Sequence, residues 1–282
     1  MKIGLGLPAD DPDVLLDWAR AADAGPFTTL GLLDRLVWHN PEPLVALAAI
    51  AGATTRVRVQ TEVLLAPLRA PALLAKQVAT LDRMSGGRLT LGLGVGGRAD
   101  DDEAAGVSST GRGARFDAQL VMLRQLWAGE PVSDAAGPIG PAPTRPGGPE
   151  VLFGAFRPAA LARVAAFGDG FLCAAAPSWA AGLIATVDRQ WSAAGRAGRA
   201  RHVAQVNVAV GPEAVAEAAR SAIGAYYAFT GDPQRPVSGL LTTPRAVRQA
   251  IGAFGDLGVD EVILYCWATD ADQVDRLADL IA

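Results

Sequence analysis

The chain is short of the residues that most metal and nucleophilic chemistry needs. It has two cysteines and two histidines in 282 residues. Cys173 and Cys266 lie far apart, as do His39 and His202, so nothing has the spacing of a transition-metal site. Both cysteines sit in apolar runs and read as buried, reduced thiols rather than a disulfide. There is no G-x-S-x-G elbow, no H-E-x-x-H pair and no P-loop. Charged residues make up only 19%, too few for a disordered chain. A net charge of −4 argues against a nucleic-acid surface, which needs clustered lysine and arginine. The longest apolar run, Pro43 to Ala53, is too short to span a bilayer. Asp10 and Asp11 follow the first apolar stretch at once, leaving no room for a signal-peptide core. These features predict a cytoplasmic protein with no nucleic-acid or membrane partner. An enzyme with so few polar catalytic groups needs a cofactor to carry the hard chemistry.

What is present is a regular alternation. Apolar runs at Lys2–Leu7, Thr28–Leu33, Arg56–Leu65, Arg88–Val95, Glu150–Ala155, Gly170–Ala175, His202–Val210 and Glu261–Trp267 are apolar nearly throughout. Strands of a parallel sheet covered on both faces read this way. Helical patterns lie between them, and Pro12, Pro43, Pro71, Pro158, Pro212 and Pro244 fall near helix starts, where a missing N–H costs nothing. Pro212–Phe229 and Pro244–Leu257 both read as helices of this series, and a last helix runs from Asp272 to Leu280. Eight such units predict a single α/β domain over residues 1–282, a (β/α)8 TIM barrel, with an open doubly wound sheet as the alternative. Two connections are long: 97–113, with an acidic run at Asp100 to Glu103, and 129–149, rich in proline and glycine. Both are expected as extended loops at the C-terminal mouth. The acidic run reads either as a solvated loop or as a cover over the mouth.

Several motifs invite a functional reading. Gly92-Leu93-Gly94-Val95-Gly96-Gly97 matches the dinucleotide fingerprint, but no apolar helix start follows it. It reads better as a strand end stripped of side chains so that a planar ligand can approach. Gly154-Ala155-Phe156-Arg157-Pro158 ends one strand and opens a helix, where free N–H groups favour an anion and Arg157 adds a cation. An ordinary tight turn accounts for it too. Asp34-Arg35 ends the second strand, as a functional pair or a local ion pair, and His39 lies just beyond. His202 begins a strand, on the opposite, stabilising face. Glu62 interrupts an apolar strand, so it is expected to reach the mouth or pair with an arginine.

Residues 41–98 resemble the bacterial luciferase-like monooxygenase superfamily. The resemblance rests on Pro43-Leu44-Val45-Ala46-Leu47-Ala48-Ala49, Ala53-Thr54-Thr55-Arg56-Val57-Arg58-Val59, Val63-Leu64-Leu65-Ala66-Pro67, Leu74-Ala75-Lys76-Gln77 and Leu81-Asp82-Arg83-Met84-Ser85-Gly86-Gly87-Arg88. A second block ends in Gly168-Asp169-Gly170-Phe171. The resemblance implies a barrel binding FMN or the deazaflavin coenzyme F420, no metal, and oxidation or reduction of a small organic molecule. It places a non-prolyl cis peptide at Glu62–Val63 against the ring, and Asp34, Gly94, Val95, Gly96 and Gly97 at strand ends along the cofactor. Gly154 and Ala155 match the phosphate-contacting pair, and the segment departs from the family pattern of a second glycine and a small residue in reading Ala155-Phe156-Arg157, whose backbone N–H groups would still serve. Arg35 stands where many deazaflavin members carry histidine, which points toward FMN. Arg35 and His39 are the expected catalytic residues for substrate polarisation or proton transfer. A separate flavin reductase and a homodimer are the implied partners. Two other readings stay open: a non-catalytic flavin-binding barrel, which bulky Phe156 would suit, and a cofactor-independent barrel lyase or isomerase.

Overall fold

In the computed structural model, which describes residues 1–8, 11–270 and 272–281, all strands run parallel. Asp10 lies outside the described residues. The strands are β1 (Lys2–Gly6), β2 (Thr29–Leu32), β3 (Arg58–Thr61), β4 (Leu64–Leu65), β5 (Leu89–Gly94), β6 (Glu150–Gly154), β7 (Gly170–Cys173), β8 (Arg201–Val208) and β9 (Glu261–Cys266). β3 and β4 are two halves of one stave, interrupted at Glu62 and Val63. Their order is β3-β2-β1-β9-β8-β7-β6-β5-β4, and a β3–β5 pairing closes the sheet into an eight-staved barrel. The expected barrel is therefore the fold, and the open sheet is not.

The helices are α1 (Leu15–Ala24), α2 (Pro43–Ala53), α3 (Pro71–Met84), α4 (Ala99–Ala104), α5 (Arg112–Trp127), α6 (Pro158–Phe167), α7 (Pro177–Ala193), α8 (Glu213–Tyr226), α9 (Gln234–Ser238), α10 (Pro244–Asp256) and α11 (Gln273–Ile281). Proline opens α2, α3, α6, α7 and α10, each losing only an N–H with no partner inside the helix. The Glu42 and Thr243 side chains cap α2 and α10 by accepting from Val45 and Ala246 N–H. α1, α2, α3, α5, α6, α7, α10 and α11 form the wall. One apolar cluster, with Trp18, Phe116 and Phe254, fills the space between staves and wall helices. No helix among the described residues is long and apolar enough to cross a membrane. Cys173 and Cys266 are unpaired and buried, as their apolar surroundings predict.

The remaining helices correct the sequence reading. Pro212–Phe229 was expected in the βα series, but α8 does not join the wall. Its Ala219 and Ile223 pack into a second cluster with Leu33, Leu152, Leu172, Tyr265 and Trp267, inside the barrel and at its mouth. Helical periodicity marks an apolar stripe without saying which surface it covers. Segment 97–113 leaves the C-terminal end of β5 and does lie at the mouth, where it folds into α4. Segment 129–149 joins α5 to β6, so it returns to the N-terminal rim and is not a mouth loop. There Thr144 donates its N–H and hydroxyl to Asp82, at 2.7 and 2.6 Å.

Strand register fixes what faces the barrel axis, since alternate residues share a face. At the N-terminal end, Arg58, Glu150, Arg201 and Glu261 point inward and form one network. Arg201 reaches Glu150 at 2.6 Å and also Glu261, while Thr28 donates to Glu261 at 2.6 Å and Thr90 to Glu150 at 2.8 Å. The Glu261 side chain is fully buried. Removing its guanidinium partner strands a buried charge. Arg201→Met should therefore lower the unfolding free energy by about 3 kcal/mol, measured by urea denaturation.

Candidate active site

The barrel mouth is roofed on one side and open on the other. At the ends of β9, β1 and β2, Trp267, Ala268, Leu7 and Leu33 are buried. The C-terminal end of α8 lies over them. Tyr226 meets Trp267 edge-on at 5.1 Å and Trp38 at 5.5 Å, and Tyr227 sits beside both Tyr226 and Trp267. Arg98, from the loop after β5, donates to the Tyr226 carbonyl at 3.3 Å and lies over Phe229 at 4.2 Å. At the ends of β4, β5, β6 and β8, by contrast, Val63, Val95, Gly96, Gly154, Gln205 and Asn207 are half-buried and Gly97 is exposed.

The open side is built around Glu62 and Val63. Their peptide bond is cis, as the resemblance implies. Both side chains face the interior. Glu62 occupies the space beside Gly31, where a Cβ would come within 2.7 Å of its carboxyl. Val63 lies against β5 and β6, where a Cβ on Gly94 would meet it at 2.5 Å and one on Gly154 at 3.0 Å. Gly92 likewise admits the Thr61 carbonyl. The glycines of 92–97 thus divide: Gly92 and Gly94 make room for the protein's own atoms, while Gly96, at φ +72°, and Gly97, with nothing near its Cβ position, leave space at the rim. Val63 is a side-chain shelf ringed by glycines and open above.

Glu62 does not pair with an arginine. It accepts from the Gln60 amide in the barrel interior. Burial pushes its carboxyl up to about 8, against the lowering effect of that amide. The second carboxyl oxygen of Glu62, the Gln60 carbonyl and the Thr29 hydroxyl, all buried, lack partners among the described residues.

Asp34 and Arg35 do not form a local pair. Asp34 accepts from Leu65 N–H at 2.8 Å and binds Arg69 at 2.6 and 3.0 Å. Arg35 donates through Nε to Asp101 at 2.7 Å and through Nη2 to the Val37 carbonyl. The other Asp101 oxygen accepts from Leu36 and Val37 N–H. Asp101 is buried, so this part of the acidic run is a staple between the β2 and β5 loops rather than a solvated face. His39 is exposed and tilts against Trp38 at 4.6 Å. His202, low in β8, bonds to Asp188 at 2.8 Å and belongs to the wall, as expected.

On the far side of the shelf, α6 starts after Arg157 with no side-chain cap; Pro158 has no N–H and the Ala160 N–H bonds the Arg157 carbonyl at 2.9 Å, which leaves the Ala159 N–H for an outside acceptor. Ala155 is buried and Arg157 exposed. Phe156 turns outward and stacks on Trp179 at 5.0 Å. The structure therefore brings together Val63, Gly94, Gly96, Gly97 and Gly154, with Glu62 beneath, and holds Asp34, Arg35 and His39 at the β2 edge. The sequence reading missed Tyr226, Tyr227, Trp267 and Trp179. The Tyr226-Tyr227 pair at the end of an apolar helix was the signal for a roof.

The luciferase-like monooxygenase family profile matches residues 2–281. The chain belongs to that family. An F420-dependent glucose-6-phosphate dehydrogenase of Beutenbergia cavernae is 33% identical over 189 residues, 61% of this chain and 56% of the relative. The chain's matches span about half the length of the curated relatives. Monooxygenase RslO1 of Streptomyces bottropensis superposes with a TM-score of 0.86 at 25% identity, covering 100% of this chain and 97% of that one. An F420-dependent secondary alcohol dehydrogenase, solved with an F420–acetone adduct, gives 0.84 at 19% identity, covering 99% and 97%. The oxygenating component of a Pseudomonas putida diketocamphane monooxygenase, solved with FMN, gives 0.81 at 17%, covering 100% and 96%.

Glu62 yields a test of this geometry. The unfolded chain holds this carboxyl near 4.5, whereas the folded chain keeps its proton up to about 8. Ionisation therefore opposes folding: the cost is absent below the lower value and complete above the upper one. Between about pH 5 and about pH 9 the Tm of wild type should fall further than that of Glu62→Gln, by roughly 5 °C, as read by thermal melts in matched buffers.

Proposed function

We propose that the protein is an oxidoreductase that binds FMN or coenzyme F420 over Val63, with the phosphate at the start of α6, and acts on a small organic molecule under the aromatic roof. The observation that carries this reading is the Val63 shelf, bounded by Gly94 and Gly154 and open above, beside an uncapped helix start. Either cofactor, when bound, supplies hydride or electron transfer from its planar ring. The protein's part is to bind, orient and keep water out. Family membership, together with relatives that bear the names of FMN and F420 proteins, supports the same reading.

Trp38, Tyr226, Tyr227 and Trp267 line the substrate side and make it dry, which protects reactive intermediates from water. Arg35 is committed to Asp101 and orders residues 35–37, so it shapes this wall. His39, exposed at the same edge, is the group able to move a proton there. Phe156 lies outside the shelf, which removes the feature that best suited a storage barrel. A partner reductase and a homodimer, on the strength of the resemblance, and a cytoplasmic location, on the shortness of the apolar runs, complete the proposal.

The test is direct binding. Purified protein titrated separately with FMN and F420 should quench the fluorescence of at least one; binding of neither ends the proposal. Gly154→Ala places a methyl 3.0 Å from Val63 and tilts the shelf. It should weaken ring binding about tenfold, or about 1.4 kcal/mol, while the circular dichroism spectrum stays that of wild type.

A further inference from the structure

Beyond the start of α6 the rim carries an arrangement that a ring and its phosphate do not need. Phe156 and Trp179 stack face to face, at 20° between planes, yet each stays 45% exposed. Arg235, from α9, sets its guanidinium carbon 5.2 Å from the Trp179 ring centre. Arg157, next to Phe156, is exposed at the N-cap of α6.

The other arginines of the mouth are committed. Arg35 binds Asp101, Arg69 binds Asp34, Arg98 binds Asp100, Arg112 lies at 3.5 Å from Asp102, and Arg220 binds Glu213. Arg115 donates to the carbonyls of Ser108 and Thr110. Among the described residues Arg157, Arg235 and Arg245, the last in the first turn of α10, have neither a carboxylate nor a carbonyl partner. These unpartnered arginines lie on the part of the rim that follows β6 and β8, on a chain whose net charge is −4. Arg157 and the Ala159 N–H at the start of α6 would serve one phosphate. Arg235 belongs to a separate insertion and lies past Trp179, further along the rim.

We infer that Phe156, Trp179 and Arg235 form a subsite for an anionic chain that continues beyond the cofactor phosphate, such as the glutamyl tail of F420. FMN ends at its phosphate and would leave this subsite unused. The inference rests on the ring-binding reading given above and deepens it to a choice of cofactor. Arg235 would meet tail carboxylates through charge-assisted hydrogen bonds, and the stacked rings would cover the aliphatic part of the tail.

The experiment compares the affinities of wild type, Arg235→Ala and Trp179→Ala for three ligands: F420 with its glutamates, F420 without them, and FMN. Wild type should bind tailed F420 most tightly, with the steepest loss of affinity as salt rises. Arg235→Ala should weaken tailed F420 about tenfold and leave the other two within about twofold. Trp179→Ala should follow the same ranking, and thermal melts check that both variants fold. Equal losses for all three ligands, no loss for any, or a wild type indifferent to the tail would overturn the subsite. FMN binding without F420 binding overturns it too and leaves the flavin reading standing. Binding of no ligand brings down both.

Discussion

The placement of two adjacent side chains inside the barrel governs the site. Glu62 and Val63 both face the axis, so the neighbouring staves must make way. Gly31 on β2 admits the carboxyl, while Gly94 on β5 and Gly154 on β6 admit the valine. At Gly31 and Gly94 a methyl group would come closer than real Cβ contacts allow. From this follow the split of the third stave into β3 and β4, the glycine-rich end of β5 and the shelf at the mouth.

The two ends of the barrel solve the burial problem in opposite ways. The N-terminal end is closed by charges that satisfy one another: Arg201 spans Glu150 and Glu261, Thr28 donates to the other Glu261 oxygen, and Thr90 shares the Glu150 oxygen with Arg201. A buried network of this kind holds only while its members are paired. The upper end is closed by aromatic rings and by one fully used carboxylate, Asp101, which fixes the β2 loop against the β5 loop. Between them burial pushes the Glu62 carboxyl up, and the Gln60 amide offsets only part of that.

Much of the fold was legible because a parallel barrel writes each strand as a continuous apolar run. Eight runs gave eight staves, and the prolines marked helix starts to within three residues. The failures have physical causes. An apolar helical stripe looks the same against a wall or a roof, so α8 was misplaced. Proline and glycine in 129–149 mark an irregular connection, but the direction of the chain decides which rim it lies on. Asp34 and Arg35 are neighbours in sequence, yet their side chains diverge, and each found a partner tens of residues away. The glycines after Leu91 suggest space for a ligand, whereas Gly92 and Gly94 make room for the protein itself. The family motifs located the shelf and the helix start; the roof depends on tertiary contacts that no short motif encodes.

The excursion between β8 and α10 enters and leaves the barrel at one point. Ala209 N–H donates to the Leu241 carbonyl at 3.0 Å, and Leu241 N–H to the Asn207 carbonyl at 2.9 Å. The chain thus departs and returns side by side, and between the two points α8 packs Ala219 and Ile223 onto stave side chains. The segment therefore hangs from a single neck, and its aromatic end sets the shape presented to incoming molecules.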